Sequence, residues 1–436
     1  MLNVAEVTRL LREDQLDRAR GLCQAELNRP STMAPDANAT SLFFLAACDQ
    51  RLERPAAALA SLQQAARLAG DQDMLARIAD ALIQLRAFDP AASVIERLDF
   101  SRPYTILLQA RCRWGQGLHS SAVEQLDALS KIRPDWPLLA LSHARMLINL
   151  DQAEGAGQVL DAALAHHPAH EGLIYQKTLL VLSHFDPARA LETLERHAWR
   201  ASERLCELQQ ALALAAGAGL AGDAGDSLRW EGFLHLHGLA GEPRWHGDNV
   251  SLLKRALSIA PSSGAIVECG VYHGRTVSLL ADWAPDRKVY GFDSFEGLPE
   301  AWSSKEPAGS YSTAGRRPQV PANVELIAGW FADTLGDFAN ELKAPLALLH
   351  IDCDLYISTR DVLAALGPRL AAGSMVVFDE YTGYPGWRDH EHRAWREYCH
   401  QHGLKARLRG GQLLGQSAAF EVLSSDASRP PGGSAA

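Results

Sequence analysis

A small residue followed four positions later by a large apolar one returns at a nearly constant interval through the first half of the chain. Aligning PAAALASLQQAARL, PAASVIERL, SSAVEQLDAL, GAGQVLDAAL and PARALETLERHA puts the small residue at Ala58, Ala91, Ala122, Ala156 and Ala190, with spacings of 33, 31, 34 and 34. An earlier unit fits at Ala19, with an irregular gap of 39. The surrounding residues are mostly Leu, Ala, Arg, Glu and Gln, with apolar positions three and four apart, which is the helical period. A helix pair of about 34 residues cannot bury its apolar face alone, so such pairs must stack into a solenoid. The alanine lets two helices approach, and the apolar residue one turn later fills the groove. Pro134, Pro168 and Pro187 fall at helix boundaries, where a missing N–H costs least.

Residues 1–212 are therefore expected to form a helical repeat domain that resembles a degenerate tetratricopeptide array; an irregular all-helical domain is the alternative. The glycine-rich stretch Ala215 to Ser227 disfavours a continuous helix. It is read as a hinge within a linker and connecting helix over 213–244. From about Arg244 the period changes. The β-rich runs AIVE, KVYGFD, NVELIAG, LALLHID and SMVVFDE alternate with helical stretches over 245–424. That alternation predicts an α/β domain with a doubly wound, mostly parallel, Rossmann-like sheet. Residues 425–436, SDASRPPGGSAA, are expected to be a disordered tail.

In such a sheet ligands bind at the carboxyl ends of the strands. The first strand runs into ECGVYHGRT. Gly270 lets the backbone pass close beneath a ligand, and Gly274 opens the next helix. The GxGxxG of dinucleotide sites is absent, which points away from a nicotinamide cofactor. Asp293 ends the second strand, 25 residues after Glu268. It is either a ribose ligand or a helix N-cap, and its position favours the ribose. Trp330 and Phe331, after the third strand, serve equally as an adenine floor or as core.

The fourth and fifth strands end in Asp352 and Asp354 and in Asp379 and Glu380. Neighbouring strands lie ~4.8 Å apart, so Asp352 and Asp379 are expected to converge at one rim. Carboxylates that close repel, and a hard divalent cation, Mg²⁺ first, would relieve them. Asp354 is a ligand or a cap for the following helix. The next segment, YTGYPGWRDHEHRAWREYC, brings Tyr381, Tyr384, Trp387, His390, His392 and Trp395 toward the same rim, a mixture suited to a polyhydroxylated acceptor.

Taken together, ECGVYHGRT, GFDSFEGLP, GWFADTL, HIDCDLYIST and FDEYTGYPGWRDHEHRA resemble the macrocin O-methyltransferase family over about residues 245–424. Those are class I enzymes that use S-adenosylmethionine (SAM) to methylate sugar hydroxyls, typically with magnesium. The resemblance implies that Glu268 and Gly270 lie against the methionine end of SAM and that Asp293 holds the ribose. With them it implies a cofactor lining of Tyr272, Gly274, Thr276, Ser294, Gly329, Trp330, Phe331 and Asp352. It makes Asp352, Asp379 and Glu380 the metal ligands. Glu380 stands where the macrolide enzymes carry aspartate and Cys353 where they carry glycine, two departures that point away from a macrolide acceptor.

The expected chemistry is in-line methyl transfer to a hydroxyl. Asp352, or a histidine among His273, His390 and His392, would take the proton. The array would dock a protein or carrier partner, or a second copy of the chain. The competing reading is an interaction scaffold with a silent SAM-binding domain; the intact acids argue against it. Net charge of −10 without a basic block argues against nucleic-acid binding. Seven scattered cysteines and the lack of a long apolar run lead to the expectation of a reduced, cytoplasmic protein with no membrane contact.

Overall fold

The structure, a computed structural model, describes residues 2–29, 35–197, 202–219, 225–239 and 241–424. The expected tail at 425–436 and part of the expected hinge lie outside these residues. The described chain forms two compact units, residues 1–133 with 299–310, and residues 134–298 with 311–436.

The first unit is built from eight helices, from Val4–Arg12 through His119–Ile132, arranged as consecutive pairs. Ala19, Ala58, Ala91 and Ala122 each occupy the fourth position of the second helix of a pair. All four have no exposed surface, as do Ala156 and Ala190 in the same position of later pairs. The residues one turn on, Cys23, Leu62, Ile95, Leu126, Leu160 and Leu194, are buried too. The repeat is therefore a packing repeat. A second regularity accompanies it. Asp14, Glu53, Arg86, Gly117 and Asp151, each five residues before its alanine, adopt left-handed backbone with φ between 57° and 80°. This residue closes the turn inside each pair, and only one of the five is glycine.

The second unit begins with the helices Pro137–Asn149, Ala153–His166, Glu171–His184, Pro187–Glu195 and Glu203–Ala215. It continues through Leu228–His237 into an eight-stranded sheet. The strands are β1 (Arg244–His246), β2 (Ala265–Cys269), β3 (Val289–Asp293), β4 (Val324–Ala328), β5 (Leu346–Ile351), β6 (Leu370–Phe378), β7 (Lys405–Gln412) and β8 (Ala418–Ser424). Their order is β1-β7-β8-β6-β5-β2-β3-β4, and only β8 runs antiparallel to its neighbours. The doubly wound architecture is as the sequence implies. β1, β7 and β8 add an edge that apolar runs did not reveal, because RWH is too short and KARLRGGQ too polar to read as strand.

The division between compact units falls at 133/134, within the stretch read from sequence as one repeat domain ending near 212. The reason lies in the helices after Pro134. Asp151, in the turn after Pro137–Asn149, pairs with Lys254 at 2.5 Å and accepts from Trp283 Nε1 at 2.9 Å. The Ser183 hydroxyl donates to Asp248 at 2.5 Å and accepts from the Gly247 N–H at 2.9 Å. A Cβ on Gly247 would lie 2.1 Å from the Leu179 carbonyl oxygen. The helix Leu228–His237, read as part of a connector, is likewise built in. A Cβ on its Gly232 would meet the Gly383 nitrogen at 2.8 Å, and Phe233 packs on Trp245 with ring centroids 4.9 Å apart.

Candidate active site

The chain turns off the sheet in opposite directions from β2 and β5, which are hydrogen-bonded neighbours, so their carboxyl ends open a crevice. Three turns at this rim hold a non-glycine residue in left-handed backbone: Tyr272 (φ 52°) after β2, Phe295 (φ 59°) after β3 and Asp354 (φ 61°) after β5. Each such residue costs on the order of 1–2 kcal/mol, a strain that clusters where a site needs fixed geometry.

Asp293 secures two of these turns. Its Oδ2 accepts from the Val271 and Tyr272 N–H groups at 2.8 and 2.7 Å, and its Oδ1 accepts from Phe295 N–H at 2.7 Å. The residue expected to hold a ribose thus also organises the backbone that would surround it. Glu268 is wholly buried, with Oε1 accepting from the Thr276 hydroxyl at 3.0 Å and Oε2 lying 2.9 Å from His350 Nδ1. Both oxygens and Thr276 are spent inside the protein, so this trio supports the β2 turn from below. Gly270 (φ 101°) is required by the protein itself, since a Cβ there would lie 1.6 Å from the Asp352 carbonyl oxygen. Gly274 (φ 78°) is the N-cap of helix Arg275–Trp283, and Ser294 donates to and accepts from its own turn. Gly329 (φ 143°) hydrogen-bonds Asp293 O at 3.0 Å. Trp330 caps helix Phe331–Glu341 with its ring 38% exposed, and Phe331 is half-buried.

Asp352 and Asp379 follow adjacent parallel strands, and the Asp379 N–H donates to Ile351 O at 3.0 Å. The carboxylates that converge are Asp352, Asp354 and Glu380, each offering an oxygen with all three within 4.8 Å. Asp379, expected in this set, stands just outside it. Its Oδ1 accepts from Asn249 Nδ2 at 2.9 Å and from the Ser417 hydroxyl at 3.3 Å. Asp354 takes its place. The N-cap residue of the next helix is Leu355, and Asp354 stands before it in left-handed backbone. Burial, then the neighbouring Asp379, Asp354 and Glu268, push the Asp352 carboxyl well above the usual range. Burial followed by Asp379, Asp354 and Asp352 does the same to Glu380, whose Oε2 has no hydrogen-bond partner. A converging set of hard oxygen donors fits a divalent cation.

The histidines are arranged differently from expectation. His392 is 3% exposed and enclosed by Tyr381, Trp387 and His235, with ring centroids at 5.1, 4.7 and 4.9 Å. Burial lowers it to about 4, so it is a neutral core ring at physiological pH. His390 is the N-cap residue of helix Glu391–His402, and His273 packs on Tyr272 at 3.9 Å. None of the three belongs to the convergent group of carboxylates. Tyr381, Tyr384, Trp387 and Trp395 are also buried, so most of the expected aromatic rim is core. Sequence reading missed His350, Asn249, Ser417 and Glu391. His350 and Glu391 lie within the quoted runs LALLHID and YTGYPGWRDHEHRAWREYC, Asn249 and Ser417 outside them, and only folding gives these four their partners.

Residues 267–381 match the family Methyltransf_24, a methyltransferase domain. The chain is 33% identical over 158 residues to an 8-demethyl-8-(2,3-dimethoxy-alpha-L-rhamnosyl)-tetracenomycin-C 4'-O-methyltransferase of Streptomyces olivaceus, covering 31% of this chain and 59% of that one. It is 31% identical over 149 residues to the demethyldecarbamoylnovobiocin O-methyltransferase of Streptomyces niveus, covering 29% and 56%. The chain thus spans less than two thirds of the length of these relatives. Among solved structures, it is similar to a thermophilic tetratricopeptide-repeat protein of Thermus thermophilus. That match has 18% identity and a TM-score of 0.33 and covers 40% of this chain and 99% of that one. The strained turns, the buried Glu268 trio and the convergent acids all lie within the methyltransferase domain or within two residues of a strand it contains.

Proposed function

We propose that the chain is a SAM-dependent O-methyltransferase acting on a hydroxyl of a sugar or another polyhydroxylated small molecule, with Mg²⁺ at Asp352, Asp354 and Glu380. The observation that carries this reading is the meeting of those three carboxylates beside the β2 turn of a methyltransferase domain. The relatives named above are O-methyltransferases, which supports the reaction class.

SAM would lie over the Gly270 turn, with Asp293 and the exposed Trp330 ring on the adenosine side. A bound divalent cation lowers the pKa of a coordinated hydroxyl and fixes its direction. Within the chain, Asp352 is proposed as the group that takes the acceptor proton. The strained turns keep these groups from relaxing, and alignment of this kind supplies on the order of 7–11 kcal/mol in the best intramolecular cases. The helical array is proposed to bring a protein or carrier-bound substrate.

The test uses Asp352→Asn in the full chain, with calorimetric titration of S-adenosylhomocysteine and methyl transfer to a panel of glycosides. The variant should bind S-adenosylhomocysteine within about threefold of the parent and lose methyl transfer by about 10²-fold or more. Failure of the unmutated protein to bind S-adenosylhomocysteine would sink the reading.

A further inference from the structure

Glu391 opens helix Glu391–His402 and has no exposed surface. Its Oε2 accepts from the Glu380 N–H at 3.1 Å, and the Cys353 N–H is directed at the same carboxylate. Those two amides belong to different loops. Cys353 stands between Asp352 and Asp354 after β5, and Glu380 follows Asp379 after β6. Among the described residues Glu391 Oε1 has no hydrogen-bond partner.

A carboxylate in this place is costly. It is buried among Asp354 and Asp379, which repel it, and a helix start needs no such group. The first turn of its own helix offsets part of that cost, because the free N–H groups favour negative charge. The helix is also firmly seated. Ala394 and Trp395 are buried, and the Trp395 ring lies 5.4 Å from Phe378 and 5.8 Å from Phe420. Whatever Glu391 grips is therefore held relative to the sheet.

We propose that Glu391 is a positioning residue that clamps the Asp352–Asp354 loop to the Asp379–Glu380 loop through their backbone amides, and so sets the convergence of the three carboxylate oxygens. Its consequence for cation binding rests on the function proposed above; the clamp itself does not. Groups behind the ligands commonly change metal affinity by about 10–100-fold when removed.

The test compares Glu391→Ala, Glu391→Gln and Glu391→Asp in the full chain. Three properties are measured: amide hydrogen exchange resolved at Cys353 and Glu380, Mn²⁺ binding by electron paramagnetic resonance, and S-adenosylhomocysteine binding as a comparison. Glu391→Ala should speed exchange at both amides and weaken Mn²⁺ by about tenfold or more, with S-adenosylhomocysteine binding within about threefold. Glu391→Gln keeps an acceptor oxygen at the same reach and should restore most of the protection. Glu391→Asp keeps the charge but falls one methylene short, and should behave like alanine; it decides the matter if Glu391→Ala does not fold. Unchanged exchange in the alanine and aspartate variants overturns the proposal. So does equal loss of cofactor and Mn²⁺ binding, which would mean that Glu391 only supports the core. If the unmutated protein takes up no Mn²⁺, the cation reading fails and the exchange data alone judge the clamp.

Discussion

Asp354 illustrates how a single backbone angle assigns a role. A residue three positions past β5 can as well cap the next helix, yet Asp354, with φ of 61°, lies at the rim beside Asp352 and Glu380. That angle is not written in HIDCDLY. Gly270 was legible as a close-approach glycine, and the group of the protein that approaches it is the Asp352 carbonyl. At the same scale, His246 is 2% exposed, with Nδ1 3.2 Å from the Ser251 hydroxyl. Burial, aided by Arg244 and Arg255, lowers its pKa from 6.5 to about 3. The folded protein therefore keeps this ring neutral while the unfolded chain protonates it. The contribution is fully present above pH 6.5 and is lost as pH falls from there toward about 3. At about pH 5 the loss is about 2 kcal/mol. In urea unfolding at about pH 7.5 and pH 5, the stability lost between the two should be smaller by about 2 kcal/mol in His246→Gln than in the parent.

Helix pairs are the element whose regularity the sequence displays most openly. The buried alanine and its partner one turn later can be counted directly, because close packing tolerates few residue types there. The left-handed turn residue five positions earlier is hidden, since Asp14, Glu53, Arg86 and Asp151 are ordinary polar residues that bear the strain. Gly117 alone relieves it. Gly117→Ala should cost about 1 kcal/mol, whereas Glu53→Gly should leave stability within about 0.5 kcal/mol, because relief of strain offsets the added freedom of the unfolded chain. Denaturant midpoints of the two variants test this, and an unchanged midpoint for Gly117→Ala would contradict the turn's proposed energetics. Strands were less evenly visible. The five apolar ones read plainly, and β2 and β5 are buried throughout; β1 and β7 are polar and depend on pairing with each other and with β8.

At the scale of the whole molecule, the helices from Pro137 to Ala215 belong to the compact unit that contains the sheet. Gly247 is the most sensitive contact, and Gly247→Ala should destabilise by about 1–3 kcal/mol through overpacking against the Leu179 carbonyl. A chain that begins at Arg244 loses the partners of Asp248, Lys254 and Trp283 and should aggregate or melt without cooperativity. One that begins at Pro134 keeps them and should unfold in a single transition. Circular dichroism melting and size-exclusion chromatography distinguish these outcomes, and cooperative folding of the shorter piece would contradict the placement of the boundary.

The sequence by itself determined the two periods, the packing alanines and the acids at the ends of β3, β5 and β6, because helix stacking and strand termini restrict residue choice locally. Only the tertiary structure decided which acids converge, which histidines are core and where one compact unit ends. Those outcomes depend on the left-handed turn at Asp354, on the Glu391 contact to two distant loops and on helices that lock onto the sheet domain through side chains 100 or more residues apart, such as Asp151 and Lys254.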